Sequence, residues 1–502
     1  MVLEPTFEEI NYKVKDKILT EQIRSESKTD IISEGISGIL SVNAWAVIND
    51  VTVGNGRVDY VGKVIYYVSY LSAEGEIKKV ECGNEFSGTV KDAGITADFI
   101  AQAEVTVDKW ETDISGLKLS VGGYLTIKIA LFKTATFSAL SGGDNIIVDK
   151  REINYPKSLG VKQTVYPLEE EFELDYTVEE VLSHRADAII TAVQCGVGMI
   201  IVDGEVLLSA IMLQKNQKRD IIRENKSLPF KVEIECDEAM PSMQATARVV
   251  EKSFKSDVFV DEEKGNSVVS VQMGLKFEGE AFITSEVLVA ADAFSLEQNI
   301  ELEREEVPYQ KACELRCVSA IINGRSAVKE LGVGSVLLAV HGERAEILDK
   351  VCTEKGLKVE GVFTATGYFK ENDRYFTLPL ETPFEVTLDC VYGCDVEIDL
   401  VAKAQKARGR ILTLTEVELE GEIVFNVYPT ENKRIQLVRG VKTLGEKAKK
   451  SCALSVYIPF EGEELWSLAK RLNVSPETLV ETNKDLCFPL TGQERIVVYR
   501  QK

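Results

Sequence analysis

Two pairs of cysteines are the first residues in this sequence whose types could bind a metal or perform redox chemistry. Cys313 and Cys317 have three residues between them, and so do Cys390 and Cys394. This spacing differs from CxxC, and on a strand it places both thiols on one face, where cysteine packs well. A zinc or redox site stays open as an alternative. Ten cysteines scattered over a long chain nevertheless favour buried, reduced thiols.

The sequence also offers little for hydrolytic catalysis. Its two histidines, His184 and His341, have no partner at ligand spacing, which argues against a histidine-based metal site and a serine–histidine triad. No HExxH, GxSxG or P-loop motif occurs. Paired glycosidase carboxylates stay open, because acids are abundant and the separation that matters is spatial. We expect a protein that is not an enzyme and that uses no metal or cofactor.

Composition narrows the class of protein further. The net charge of −23 repels phosphate backbones, so nucleic acid is not an expected partner. No apolar run approaches the roughly 20 residues that a membrane span needs. The N-terminus has neither a basic start nor an apolar stretch, so a secretory signal is not predicted and residence in the cytosol is expected. The 502 residues are too many for one ordinary core, so several domains are predicted.

Internal repeats organise most of the chain. The motif EINY occurs at Glu9–Tyr12 and Glu152–Tyr155, and EVPY follows at Glu306–Tyr309, at separations of 143 and 154 residues. Separations of this size indicate repeated domains instead of short solenoid units. The predicted domains are residues 9–151, 152–305 and 306–428.

Further landmarks recur in the same order within the copies. A glycine, a short β-rich run and a second glycine occur as GRVDYVG from Gly56, GMIIVDG from Gly198 and GLKVEG from Gly356. PFKVEIEC and PFEVTLDC follow in the second and third copies, with NEFSGTV as a worn counterpart in the first. FEGE and LEGE close the second and third copies, where the first has GGYLTIKI. The predicted core anchors of these landmarks are Phe86, Phe230 and Phe384.

The residue types and their alternation in each copy favour strands. VGKVIYYVSYL and GYLTIKIALF are rich in valine, isoleucine and tyrosine, and VEIE and VTLD alternate apolar and charged residues. The prolines before Phe230 and Phe384 are expected at the start of a strand or on an edge. YTVEEVLSH and VKELGVGSVL are expected to be short helices or irregular links. The predicted fold is a mainly β multi-domain chain.

A basic stretch follows the third copy. Residues 429–452 carry a local excess of lysine and arginine in an otherwise acidic chain. The first interpretation is a solvated linker, and the alternative is a patch that docks an acidic partner surface.

The last fifty residues predict a small β-α-α-β unit, residues 453–502. Apolar residues at helical spacing, from Leu465 to Leu472, give a first helix that Asn473 ends. Ser475 is a good N-cap for a second helix, with Pro476 at its first position. LSVYI and RIVVY are the flanking strands.

This unit resembles a LysM domain. Its motif matches at Gly462, Leu465–Trp466, Ala469, Asn483 and the Gly492–Gln493 pair. Glu463 and Glu464 replace the usual Asp-Thr pair, Phe460 and Glu461 stand where a turn proline is common, and Lys484 replaces the proline after the asparagine. Such departures remove compact hydrogen-bonding groups that sugars need, and a charged rim with a phenylalanine suits a protein surface better. Trp466 is expected to be a packed residue more than a contact residue.

The three copies resemble the SPOCS domain of clostridial spore-coat proteins, and SPOCS repeats followed by a LysM domain are similar to the SipL type of spore morphogenetic protein. This resemblance implies a protein of the mother-cell cytoplasm and forespore surface that acts as a scaffold of the spore coat. It implies that the LysM-like domain binds a coat-basement ATPase, with other coat proteins and further copies of the chain as additional partners. The alternative is a glycan-binding protein of the cell wall or spore cortex. The predicted partner-binding residues are Phe460, Gly462, Glu463, Glu464, Trp466, Lys470, Asn483 and Lys484.

Overall fold

The computed structural model of the chain describes residues 3–30, 35–116, 118–216, 219–261, 265–372, 374–393, 395–448 and 454–499. Strands dominate these ranges, and the only helices in them are two short ones near the C-terminus. The prediction of a mainly β chain is therefore confirmed. Neither helix in the described ranges has the length and apolar character that a membrane span requires.

The strands fall into three consecutive sets and a small terminal unit. The first set is β1 (Glu4–Asp30), β2 (Ile36–Gly54), β3 (Arg57–Ser72), β4 (Ile77–Lys91), β5 (Ile100–Ser115) and β6 (Lys118–Asp144). The second is β7 (Ile147–Glu173), β8 (Val178–Cys195), β9 (Met199–Gln214), β10 (Ile221–Glu235), β11 (Gln244–Val260) and β12 (Ser267–Phe294). The third is β13 (Gln298–Ala312), β14 (Arg316–Ala327), β15 (Val336–Thr353), β16 (Gly356–Glu371), β17 (Arg374–Leu388), β18 (Val396–Thr413) and β19 (Glu416–Glu446). The terminal unit is β20 (Leu454–Tyr457), α1 (Leu465–Leu472), α2 (Pro476–Thr482) and β21 (Ile496–Tyr499).

Each set, called a repeat below, has the same antiparallel topology. One sheet joins the first, sixth and fifth strands, as in β1-β6-β5 and β7-β12-β11, and the other joins the second, third and fourth, as in β2-β3-β4. In the third repeat the first strand is split into β13 and β14, which both pair with β19. The shared topology supports a triplicated chain.

The core of each repeat lies between its two sheets. In β3 every second residue points inward, and Val58, Tyr60, Val64, Tyr66 and Val68 are almost fully buried. They pack against the inward residues of β6 in one apolar cluster. A strand that alternates in this way buries one face and leaves the other wet. The alternation of apolar and polar residues along each strand therefore determines which face of a sheet packs against the other sheet.

The predicted anchor phenylalanines lie on the fourth strands, opposite glycines of the third strands. At each glycine an added Cβ would come within 2.4–2.7 Å of a ring carbon, so only glycine leaves room for the ring. The glycine is the second one of the repeated glycine–strand–glycine landmark. The three pairs are Phe86–Gly62, Phe230–Gly204 and Phe384–Gly361.

The prolines before two of these phenylalanines lie on edge strands. Pro229 is in β10 and Pro383 in β17, and each of these strands is the outer member of its sheet. Proline lacks an N–H, so it is tolerated where no ladder bond is needed. The expected edge position is observed, although both prolines lie inside their strands and not at the first residue.

The FEGE and LEGE landmarks do not occupy equivalent positions in their repeats. Gly421 of LEGE is the fifth residue after Glu416, where β19 begins, and Gly123 is likewise the fifth after Lys118 in β6. Both glycines receive an aromatic side chain from the other sheet, Phe363 and Tyr66 respectively. FEGE lies further along its strand in the second repeat, so the expectation that FEGE and LEGE are equivalent was wrong.

The EINY motif joins the repeats to one another. The far ends of β1–β6, β7–β12 and β13–β19 are two-stranded ribbons, and all three ribbons contact each other. Their shared core contains Ile10 and Tyr12, Ile153 and Tyr155, and Val307 of the third copy. The repeated motif thus supplies the apolar face at which the ribbons meet.

The remaining contacts close the three repeats into a ring. Ser69 of the first repeat donates to the Leu182 carbonyl of the second, and Thr377 of the third donates to the Leu40 carbonyl of the first. Arg223 of the second repeat donates to the Val340 carbonyl of the third at 2.6 Å. Each contact runs from one repeat to the start of the second strand of the next. Head-to-tail contacts that return to their origin form a closed ring.

One expectation about a segment needs correction, whereas the predicted domain limits stay predictions. The limits at 151/152 and 305/306 lie within β7 and β13, because EINY lies in the middle of a ribbon. Most of YTVEEVLSH is neither helical nor irregular, since β8 begins at Val178. VKELGVGSVL is irregular until β15 begins at Val336, which agrees with the second of the two expectations.

The basic stretch is mainly strand, not linker. Residues 429–446 form the second half of β19, while residues 449–452 lie outside the described part of the chain. Its cations face acids across the ribbon: Arg439 lies 2.8 Å from Glu305, and Lys442 lies 2.5 Å from Glu303. The excess charge is therefore paired within the chain, which weakens the alternative of an acidic docking partner.

Candidate functional site

The terminal unit, called the C-terminal module below, has two short helices between two short strands. Helix α1 buries Leu468, Ala469 and Leu472, and Asn473 ends it in the left-handed conformation at φ 55°. Helix α2 is capped at its N-terminus by Ser475, whose side chain accepts a hydrogen bond from the Thr478 N–H. β20 and β21 pair antiparallel. These elements give the order β-α-α-β.

Two predicted contact residues have structural roles in this module. The Asn483 amide donates to the Leu479 carbonyl at 2.9 Å and accepts from the Val497 N–H at 2.7 Å, which ties α2 to β21. Gly462 has φ 78°, a conformation that favours glycine, and its N–H donates to the Leu490 carbonyl. Their sequence match reflects the internal architecture of the module.

Trp466 and Lys470 face the body of the same chain. The Trp466 Nε1–H donates to Asp292 Oδ2 at 2.9 Å, and Lys470 Nζ donates to the same oxygen at 2.6 Å. The Trp466 ring also meets the Phe294 ring edge to face, with centroids 5.2 Å apart. Phe294 and Ile147 of the second repeat thereby join the apolar core of the module. The module is clamped to the end of β12.

Asp292 is the charged centre of the contact between the module and the end of β12, called the clamp below. Burial opposes ionisation of this carboxyl, but hydrogen bonds from Lys470 and Trp466 outweigh burial and lower its pKa. Arg304 adds a contact to Oδ1 at 2.9 Å. Asn473 completes the clamp by donating to the Leu296 carbonyl at 2.8 Å.

Replacing Asp292 by alanine is expected to loosen the module from the body. The change removes the acceptor of two hydrogen bonds, and losing bonds to a charged group costs about 1.5–3 kcal/mol. We expect faster amide hydrogen exchange in α1 while exchange in β3 of the first repeat stays unchanged. The matched control is Asp485→Ala, an exposed carboxylate of the same module. Equal exchange in the two variants would show that Asp292 does not hold the module.

The other predicted contact residues lie on the loops at the two ends of the helical pair, with Phe460, Glu463 and Glu464 before α1 and Lys484 after α2. The Phe460 side chain is 65% exposed, and Glu464 and Lys484 are exposed as well. Glu464 occupies the N-cap position without a side-chain capping bond, as expected for a poor capping residue. Glu463 is instead buried, at 8% exposure. The predicted site residues thus divide into clamp residues, structural residues and an exposed loop.

A buried charge network at the seam between the second and third repeats was not foreseen from the sequence. Lys403 lies 3.1 Å from Asp187 and 3.3 Å from Glu251, and Arg185 lies 2.5 Å from Asp187. Burial opposes ionisation of Asp187, but Arg185 and Lys403 prevail and lower its pKa to about 2. Partners more than 150 residues apart in sequence leave no local signal.

A cavity of about 130 Å³ adjoins this network. Ser209 and Glu343 line it, and among the described residues the Ser209 hydroxyl and one Glu343 oxygen lack a hydrogen-bond partner. The other Glu343 oxygen pairs with Arg223. A polar cavity of this size suits ordered water, which could bond the unpartnered Glu343 oxygen and the Ser209 hydroxyl. The arrangement supports packing of the repeats more than chemistry on a substrate.

The cysteines of the described ranges lie apart from any cluster of metal ligands. Cys195 and Cys236 are buried, and Cys313 and Cys317 are partly buried. Burial raises the pKa of Cys195, Cys313 and Cys317, which keeps them as thiols. Within the described ranges no three His, Cys, Asp or Glu side chains are grouped to hold a metal. Cys394, which has three residues between it and Cys390 in the sequence, lies outside those ranges.

Comparison with known proteins bears on the first repeat. Searches of curated proteins and of solved structures gave no match. A family model does match, over a segment that starts before β2 and ends with β5. That match supports a relationship to SipL-type proteins and indicates a protein related to sporulation. Residues 35–115 match the family described as SipL, SPOCS domain.

Proposed function

We propose that this chain is a non-enzymatic scaffold of endospore coat assembly that binds the coat-basement morphogenetic ATPase through its C-terminal module. The observation that carries the proposal is the combination of a SPOCS match in the first repeat with a closed three-repeat body and a clamped terminal module. In this proposal the protein acts in the mother-cell cytoplasm at the forespore surface and becomes part of the coat.

The body is suited to a passive, supporting role. Its repeats share one topology, their landmark glycines and aromatic residues serve packing, and its buried charges pair with each other. Because the ring of three is closed, the faces between repeats are used within the chain. Contacts with other coat proteins or with further copies would therefore use the outer strands.

The C-terminal module is suited to recognition. We propose that it is LysM-like, on the basis of its β-α-α-β order and its motif residues. Trp466 and Lys470 are engaged with Asp292, so the loop that carries Phe460 and Glu464 is the part left open to a partner. A loop that exposes one apolar and one charged side chain favours a protein partner over a hydroxyl-rich sugar.

A binding experiment with the full-length chain tests this function. The module shares its core with Phe294, so the full chain and a chain ending at residue 453 are the appropriate pair. We expect the full chain to capture the purified coat-basement ATPase of the same organism and the shortened chain to lose this capture. Retention of the full chain on peptidoglycan or chitin, with no capture of the ATPase, would replace the proposal with a glycan-binding function.

A further inference from the structure

Phe460 is held in place although it is exposed. At 65% exposure it is the most exposed phenylalanine of the described ranges. Two backbone hydrogen bonds with Leu490 fix its loop. The Gly462 N–H donates to the Leu490 carbonyl, and the Leu490 N–H donates to the Glu463 carbonyl. A large apolar side chain presented to water on a fixed loop is unfavourable by itself, since burial of such a side chain is worth about 1.5–3 kcal/mol.

An ion pair between the buried Glu463 and the exposed Arg471 forms the support of this side chain. Arg471 reaches Glu463 with two parallel hydrogen bonds, Nε to Oε1 at 2.8 Å and Nη2 to Oε2 at 2.7 Å. Glu463 Oε2 also accepts from the Phe460 N–H at 3.0 Å. The Arg471 guanidinium then lies over the Phe460 ring, 4.6 Å from its centroid. The hydrogen bond from Arg471 is the main reason that the pKa of Glu463 is lowered.

The position of the Glu463 carboxylate explains how the Phe460 ring is held. Its carboxylate lies inside the module and meets both the backbone of Phe460 and the fork of Arg471. Bidentate pairing fixes the plane of the guanidinium, and the fixed plane in turn orients the ring through a cation–π contact. Glu463 and Arg471 thus preorganise one exposed aromatic side chain.

We propose that Phe460 is an anchor that inserts into an apolar pocket of the protein partner, and that Glu463 and Arg471 hold it in the binding orientation. This inference rests on the proposed function and names the residue that carries it. Preorganised aromatic side chains are typical binding hot spots. The Arg471 guanidinium lies over the ring, so the fitting pocket carries a hydrogen-bond acceptor, such as a carboxylate, at its rim.

The test measures the affinity of full-length variants for the purified coat-basement ATPase. Phe460→Ala is expected to weaken binding at least about tenfold, the range of a hot-spot truncation. Arg471→Ala, which frees the ring, is expected to weaken it several-fold, and Phe460→Leu is expected to retain part of the affinity. The matched control is Ile321→Ala, which removes a 75% exposed apolar side chain from β14, with no expected change. Thermal unfolding confirms that each variant is folded.

The outcomes separate this inference from the proposed function. If the unaltered protein binds the ATPase and Phe460→Ala binds equally well, the anchor is rejected while the function stands. If the unaltered protein does not bind the ATPase, both are rejected. If Phe460→Ala weakens binding of N-acetylglucosamine oligomers and leaves ATPase binding unchanged, the loop is a glycan site and the anchor is likewise rejected.

Discussion

Replacement of Phe230 by alanine is expected to lower the free energy of unfolding of the second repeat by about 3–5 kcal/mol. The Phe230 side chain is only 5% exposed, on β10, and it faces both Gly204 and the core between the sheets. Its ring also meets the Phe277 ring edge to face, with centroids 5.2 Å apart. The substitution therefore removes apolar burial and leaves a cavity.

Collapse of the surroundings cannot compensate for this loss. An added Cβ at Gly204 would lie 2.4 Å from the Phe230 ring, which shows how closely the backbone of β9 approaches the ring. That backbone is held on both sides by β8 and β10, so it cannot move into the space. Sites that cannot collapse give the larger costs of the range.

Urea denaturation with hydrogen exchange on β9 measures the effect. The control is Phe259→Ala, which truncates a 47% exposed phenylalanine of the same repeat and is expected to change the free energy by less than about 0.5 kcal/mol. A Phe230→Ala protein with the stability of this control would contradict the packing of the ring over Gly204.

The sequence predicts the strands of this chain better than it predicts how they are joined. Alternation of apolar residues and the glycine landmarks indicate strands such as β3, and the repeated PF motif indicates Phe230 as a core residue, because both signals act within one sheet. YTVEEVLSH misled because its short apolar spacing fits a helix and a half-buried strand equally. FEGE misled because a four-residue match contains no information about its distance from the turn.

The candidate site shows the same division. The helices of the C-terminal module, with their caps at Ser475 and Asn473, could be predicted because caps are local. The clamp could not, since Trp466 and Asp292 are 174 residues apart in sequence. Glu463 is informative only in three dimensions, where it supports Phe460 through Arg471. The basic half of β19 was misread because its acidic partners lie on β13.

Acidification is expected to weaken the contacts between repeats through two histidines, the partly buried His184 and the buried His341. His184 of the second repeat lies against Tyr67 of the first, with ring centroids 4.6 Å apart, and its Nδ1 is 2.6 Å from Ser256. His341 of the third repeat has its Nε2 3.4 Å from the Ser209 carbonyl of the second. Both histidines of the chain thus lie at seams between repeats.

The surroundings of both rings favour the neutral form. Burial is the main cause that lowers the pKa of each histidine to about 4. Lys79 and His341 add repulsion at His184, and Asp257 partly opposes them. At His341, Glu343 favours the charged form of the ring, whereas Arg223 and Arg185 disfavour it.

The sign of the pH effect follows from these shifts. In the unfolded chain the two histidines take up protons near pH 6.5, whereas in the folded chain they do so only near pH 4. The unfolded state therefore binds more protons between these values. Their contribution to stability is complete above about pH 6.5 and is lost as the pH falls towards 4. From the 1.36 kcal/mol that corresponds to one pKa unit, the pair accounts for a loss of about 3 kcal/mol between pH 7.5 and 5.5.

Urea denaturation at pH 7.5 and 5.5 measures this loss, and the variant His184→Gln/His341→Gln assigns it. Glutamine does not titrate, so the difference in unfolding free energy between the two pH values should shrink by about 3 kcal/mol in the double variant. Each single variant should remove about half of it. The relevant quantity is the change with pH and not the stability at one pH, because glutamine also alters packing in these sites. An unchanged pH dependence in the double variant would show that the seams are insensitive to these rings, and that acid acts on the body through its carboxylates instead.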